Sequence, residues 1–256
     1  MNETRLGILI SGGGTTAEAV IRACRAGRLN LKPAVVISSR EDAGGIEKAE
    51  NLGVKVEVVR RADYGTREQF GKRFLSVFGK YEVDVVSQNG WMPLTPTNVV
   101  EKYSGRIVNQ HPGPLDAGRP DFGGKGMYGA RVSCSRIAYE WVTGAETPWT
   151  EATVHFVTEK YDKGDLVRIA RMDFDGLGRR VTIEELENDP GELIRITKEV
   201  QERLLPIEHE NVIEALAMIT RGEDGVGRRK FPLIQGGELI VLKQAKKLAI
   251  SLFPRN

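Results

Sequence analysis

Apolar residues in this chain come in short blocks, and amphipathic stretches separate the first several of them. LGILIS (residues 6–11) is almost wholly apolar and stops at three glycines. TAEAVIRACRAGR follows, with Ala19, Val20, Ala23 and Cys24 on one face at helical spacing. AVVISS (34–39) is rich in β-branched residues and reads as a buried strand. GIEKAENLG (45–53) reads as a helix closed by Gly53, and VKVEVV (54–59) alternates with the period of a strand. TREQFGKRFLSVFGKY (66–81) places Phe70, Phe74, Leu75 and Phe78 on one helical face, and VDVVSQ (83–88) and GRIVNQH (105–111) are two further strands. Strands separated by helices of this length predict right-handed βαβ units. The fold expected is α/β, a doubly wound, mostly parallel sheet with helices on both faces.

The second half is less regular. DAGRPDFGGKGMY (116–128) is a long loop rich in Gly, Pro and Asp, of the kind that is functional or unstructured in a compact domain; its glycines suit either a lid or a surface insertion. TEATVHFVTE (150–159) and DLVRIARMDF (165–174) read as strands joined by KYDKG, and residues 191–221 as a helical region kinked or split at Pro206. KFPLIQGGELIVL (230–242) reads as a hairpin turned at Gly236-Gly237, ahead of a short basic helix. This divides the chain into a catalytic domain, 1–222, and a C-terminal appendage, 223–256.

Composition narrows the class. A net charge of +2 across 256 residues lacks the basic face of a nucleic-acid binder, and short clusters such as Arg228-Arg229-Lys230 read as solvated surface. The two cysteines, Cys24 and Cys134, lie far apart with no CxxC spacing, so neither a disulfide framework nor a zinc site is expected, and no metal. MNETRLGILIS lacks the basic n-region of a signal peptide, and no run approaches the roughly 20 apolar residues of a membrane span. A soluble cytoplasmic enzyme is the expectation, as a monomer or homodimer with no membrane partner.

Two constellations carry chemistry. Ser11-Gly12-Gly13-Gly14-Thr15-Thr16 joins the first strand to the first helix. Its glycines permit a tight turn and close approach to a ligand. With Thr15 or Thr16 capping the helix, free N–H groups would face a phosphate. No Gly-Lys-Ser/Thr follows, so this is not a P-loop. Further on, Asn109 and His111 alternate on one face at the end of GRIVNQH, and Asp162 lies in the turn KYDKG after another strand. If both strand ends reach one sheet edge, an amide, an imidazole and a carboxylate converge. That set suits acylation of an amine: Asn109 and a protonated His111 stabilise the developing oxyanion, and His111 with Asp162 moves protons, the carboxylate raising the imidazole pKa.

ILISGGGTTAEAVI, IVNQHPGPL and TVHFVTEKYDKGDLV, in this order, resemble the folate-dependent formyltransferase family over about residues 5–220, and within it the branch acting on glycinamide ribonucleotide in purine biosynthesis. The resemblance implies that Asn109, His111 and Asp162 are the catalytic trio. It implies that the loop Gly12, Gly13, Gly14, Thr15 and Thr16, with Glu208, holds the phosphorylated amine acceptor. It further implies that Arg67, Trp91, Met92, Pro93, Leu94, Val157, Thr158, Glu159 and Tyr161 contact 10-formyltetrahydrofolate, the co-substrate. The chain departs from the family where Pro93 follows Met92, where Thr15-Thr16 replaces Ser-Asn, and in DFGGKGMYG and the tail. These departures leave another amine, such as that of a sugar nucleotide, or a non-catalytic folate- or nucleotide-binding role, as alternatives. An NAD dehydrogenase fits poorly, because the second strand ends in Ser38-Ser39-Arg40 without the acidic residue that would bind a ribose.

Overall fold

The computed structural model describes residues 3–177 and 179–254. Seven strands form one sheet in the order β3-β2-β1-β4-β5-β6-β7. They are β1 Arg5–Ile10, β2 Lys32–Ser38, β3 Val56–Val58, β4 Val85–Gln88, β5 Ile107–His111, β6 Trp149–Phe156 and β7 Leu166–Asp173. The first five run parallel; β6 pairs antiparallel with β5, and β7 antiparallel with β6. The α/β, doubly wound reading therefore holds.

Side-chain alternation distributes the core. Leu6, Ile8 and Ile10 of β1 pack with Val20 and Ile21 of α1 (Thr15–Arg25) and with Val212 and Leu216 of α7 (Gly191–Arg221). Leu9, one position out of phase, joins Phe70, Phe74 and Phe78 of α3 (Arg67–Lys80) on the opposite face. A reciprocal Thr66–Gln69 capping box starts α3, as a Thr three residues before a Gln dictates. The chain order reverses between β1 and β4, which leaves a crevice at their carboxyl ends, where open α/β sheets bind ligands.

Several elements differ from the sequence expectation, among them the short helices Thr97–Lys102 and Ile183–Asn188, which are not among the expected elements. Residues 230–242 form no hairpin: Gly236–Glu238 is a single 3₁₀ turn that leads into α8, Leu239–Leu252. The run ELIVL looks strand-like over five residues, but Leu242, Ala245, Leu248 and Ala249 keep helical spacing and bury one face. Pro206 does not split α7, which runs unbroken through it. Pro206 and Glu202 are exposed, so the carbonyl left without its partner is open to water. A further helix, α5 (Ala130–Thr143), escapes sequence reading because every residue from Arg131 to Trp141 is buried, which removes the polar face that marks a periodicity. No helix among the described residues is long and apolar enough to cross a membrane.

Helix α8 packs on α5 and adds Leu242, Ala245, Leu248 and Ala249 to a core shared with Val132, Ile137 and Leu193. Leu248→Ala is expected to cost about 2–5 kcal/mol, the usual range for emptying a filled core site. Urea denaturation should show this as a shift of one cooperative transition. A separate early transition for the tail would mean that it folds independently.

Candidate active site

A cleft of about 660 Å³ opens at the carboxyl edge of the sheet. Its walls include the glycine loop after β1, residues 88–95 around the end of β4, the end of β5, the β6–β7 connection and one side of α7. Asn109, His111 and Asp162 all line it.

β5 supplies Asn109 and His111, and antiparallel pairing places His155 of β6 directly opposite Asn109. Asp162 is held at φ 55, a left-handed conformation that Asp tolerates better than most residues. Two residues later a Cβ at Gly164 would collide with the Phe156 carbonyl, so the turn closes only on glycine. These constraints bring the Asp162 carboxylate to 3.7 Å from His111 Nδ1 and 3.5 Å from His155 Nε2. The Gly124 N–H donates to Oδ2 at 2.8 Å, and the Asn109 amide approaches Oδ1 at 3.4 Å.

His155 was not singled out from sequence, yet it orients the amide. Its Nδ1 lies 2.8 Å from the Phe156 carbonyl, which can only accept, so Nδ1 carries the proton. In the neutral ring Nε2 then accepts from Asn109 Nδ2 at 3.2 Å. Asn109 thus has both N–H groups engaged. The bond to Asp162, at 3.4 Å, is long enough to be given up readily to a substrate oxygen.

Charge at the site departs from the sequence expectation in one respect. Burial holds the His111 pKa below its ordinary value, and the nearby Asp162 only partly opposes this, so the resting imidazole is neutral rather than protonated. Burial also tends to raise the Asp162 pKa. Here it is overcome by its interactions with His111 and His155 and by the Gly124 N–H, and the carboxyl stays ionised below its usual range. His111 Nε2 is buried and has no hydrogen-bond partner among the described residues. A neutral imidazole with Nδ1–H toward Asp162 offers at Nε2 a base whose conjugate acid has a counter-ion in place.

Gln110, on the opposite face of β5 from Asn109 and His111, donates to Glu208 of α7 at 2.7 Å. Burial pushes the Glu208 carboxyl up to about 7, partly offset by that hydrogen bond. Glu208 lines the cleft, as do Gly12, Gly13, Gly14, Thr15 and Thr16. Neither threonine caps α1. Gly14 is the N-cap residue at φ 67, and an oxygen-bearing cap side chain needs extended backbone at that position. No side chain therefore caps the N–H groups of the first turn.

The other predicted contacts divide between two places. Met92, Pro93, Leu94 and Tyr161 line both the cleft and an adjoining hollow that holds Arg40, Arg60, Arg61 and Arg67. Arg67 lies only in the hollow. Ser11 Oγ accepts from the Met92 N–H at 2.9 Å, which ties down the wall where Pro93 departs from the family pattern. Trp91 lines the cleft but is chiefly an anchor, buried with its ring edge-on to Phe74 at 5.4 Å. Val157 and Thr158 line the cleft, whereas Glu159 is exposed at a bend and lines neither space.

The formyl transferase family model matches residues 4–189. The chain belongs to this family. A chloroplastic phosphoribosylglycinamide formyltransferase of Arabidopsis thaliana is 29% identical over 237 residues, 90% of this chain and 70% of that protein. The phosphoribosylglycinamide formyltransferase of Escherichia coli (strain K12) is 30% identical over 165 residues, 64% of this chain and 71% of that protein. The crystal structure of glycinamide ribonucleotide transformylase 1 from Symbiobacterium toebii matches with a TM-score of 0.67 at 28% identity, covering 87% of this chain and 90% of that one. The resemblance read from NQHP and VHFVTEKYDKG thus identifies the family correctly.

Glu208 gives this formyl transferase a pH-dependent stability. The unfolded chain loses this proton near the ordinary value of 4.5, and the folded protein keeps it to about 7. Stability from this group is complete below the lower value, falls as pH rises between the two and is constant above. Glu208→Gln is expected to remove a decline of roughly 3 kcal/mol, measured as the free energy of unfolding at pH 4.5 and pH 8. An unchanged difference between the two pH values would mean that Glu208 titrates normally.

Proposed function

We propose that the protein transfers the formyl group of 10-formyltetrahydrofolate to the amine of glycinamide ribonucleotide, a step in purine biosynthesis. The observation that carries this reading is the convergence of Asn109, His111 and Asp162 in one cleft with two differently built ends. At one end, the glycine loop and the uncapped first turn of α1 offer N–H groups to a phosphate, and Glu208 stands nearby for the polar acceptor. At the other, Met92, Pro93, Leu94 and Val157 make an apolar wall for a flat ring system. Beyond it the arginine hollow, with Arg67, suits the carboxylates of a folate tail. The relatives named for action on this acceptor support the same choice.

The formyl donor supplies an electrophilic carbon. Asn109 releases its long contact with Asp162 and donates an N–H to the formyl oxygen as negative charge develops there. His111 Nε2 takes the proton of the attacking amine, and Asp162 balances the charge of the resulting imidazolium. The same proton then passes to the departing nitrogen of the donor, so His111 returns to its neutral state. His155 keeps the Asn109 amide aligned throughout.

Purified protein supplied with both substrates is expected to release tetrahydrofolate. His111→Ala should lower kcat by about 10²–10⁴, the usual contribution of a positioned acid–base group. Asp162→Asn should lose orders of magnitude in kcat with little change in substrate binding. Folded wild-type protein that turns over a sugar-nucleotide amine and not glycinamide ribonucleotide would move the acceptor, and one that turns over neither would overturn the reading.

A further inference from the structure

Lys246 belongs to α8, beyond residue 189 where the family match ends, and nothing in its sequence context marks it for chemistry. It is half-buried, and its Nζ donates to the Gly123 carbonyl at 2.8 Å. The N–H on the far side of that same peptide group is Gly124's, which donates to Asp162 Oδ2 at 2.8 Å. One planar peptide therefore links a lysine ammonium to the carboxylate beside His111. A cation on the carbonyl oxygen polarises the unit and strengthens the bond made by its N–H.

We propose that Lys246 is a positioning residue for the His111–Asp162 pair, acting through the Gly123–Gly124 peptide and adding a positive charge to the group around His111. The assignment rests on the formyl-transfer reading for its kinetic part alone.

The surroundings show that this contact is built in. Glycine is needed at 123, because a Cβ there would approach Asp162 Cβ to 2.7 Å and Leu115 Cδ2 to 2.5 Å. Gly124 adopts φ 107, which other residues rarely reach. The tail fixes the rest of this loop as well. The Leu233 N–H donates to buried Asp116 at 3.0 Å, Arg119 donates to the Arg229 carbonyl at 2.6 Å, and Arg131 donates to the Phe253 carbonyl at 2.7 Å. Asp121, also buried, binds the Gly123 N–H at 3.0 Å and Lys163 at 2.8 Å. The charged and titratable groups around His111 are thus Asp162, His155, Asp121 and Lys246, and those around Lys246 are Asp121, Lys163 and Asp162. Lys246, like His155, favours the neutral imidazole.

The test uses the full-length chain and two readouts. NMR titration of the histidine rings, three in all and assignable by substitution, needs no substrate. In Lys246→Met the His111 midpoint is expected to move to higher pH, because a repelling charge is gone. In the formyl-transfer assay kcat should fall roughly tenfold with KM for the acceptor within about twofold, as expected for a slight misplacement of catalytic groups. Lys246→Arg, which keeps charge and donor, should recover most of the rate. Lys246→Gln serves as the neutral variant if the methionine form does not fold. A folded neutral variant with either the His111 midpoint or kcat at the wild-type value overturns the assignment. If the wild-type protein transfers no formyl group, the functional reading fails, and the midpoint alone decides on Lys246.

Discussion

The site depends on keeping one carboxylate ionised almost out of water. Asp162 is 8% exposed, and burial by itself favours its neutral form. Two histidines, the Asn109 amide and the Gly124 N–H reverse that preference, and each comes from a different part of the chain. The antiparallel turn of β6 and β7 onto a parallel sheet serves this requirement. It brings His155 opposite Asn109 and returns the chain through the Asp162 turn to the end of β5.

Because the carboxylate is held by its surroundings, His111 can remain neutral and still have a counter-ion waiting. A charged imidazole at rest would offer no lone pair to an incoming amine. Burial and the nearby lysine oppose its charging, and Asp162 stabilises the charged form once a proton arrives. Glu208 shows the same physics with no cation among the described residues to offset it. Gln110 donates to it, and its carboxyl keeps its proton close to neutrality.

The C-terminal segment has a larger share in this arrangement than its position suggests. Its helix completes the core around α5, and its backbone and lysine fix the loop that carries the Gly124 donor. The long Gly-rich stretch after His111 can be ordered without strands or helices of its own. Buried Asp121 accepts the N–H groups of Asp116 and Gly123, and the Asp116 carboxylate accepts the Leu233 N–H of the tail.

The sequence by itself determined the sheet, the first three helices and the family. Local periodicity marks an element wherever one face is buried and the other wet, and the NQHP and VHFVTEKYDKG segments pair residue types with a spacing that few other functions need. It also placed Asn109 and His111 on one face, since strand alternation is a local property. The tertiary structure decided what depends on contacts between distant residues. His155 matters because of its register against Asn109, Lys246 because α8 folds back on the loop, and the neutral state of His111 because of how much water the fold excludes. Helix α5 and the helical tail went unread for a related reason: burial all round erased the first pattern, and a five-residue apolar run is too short to separate helix from strand.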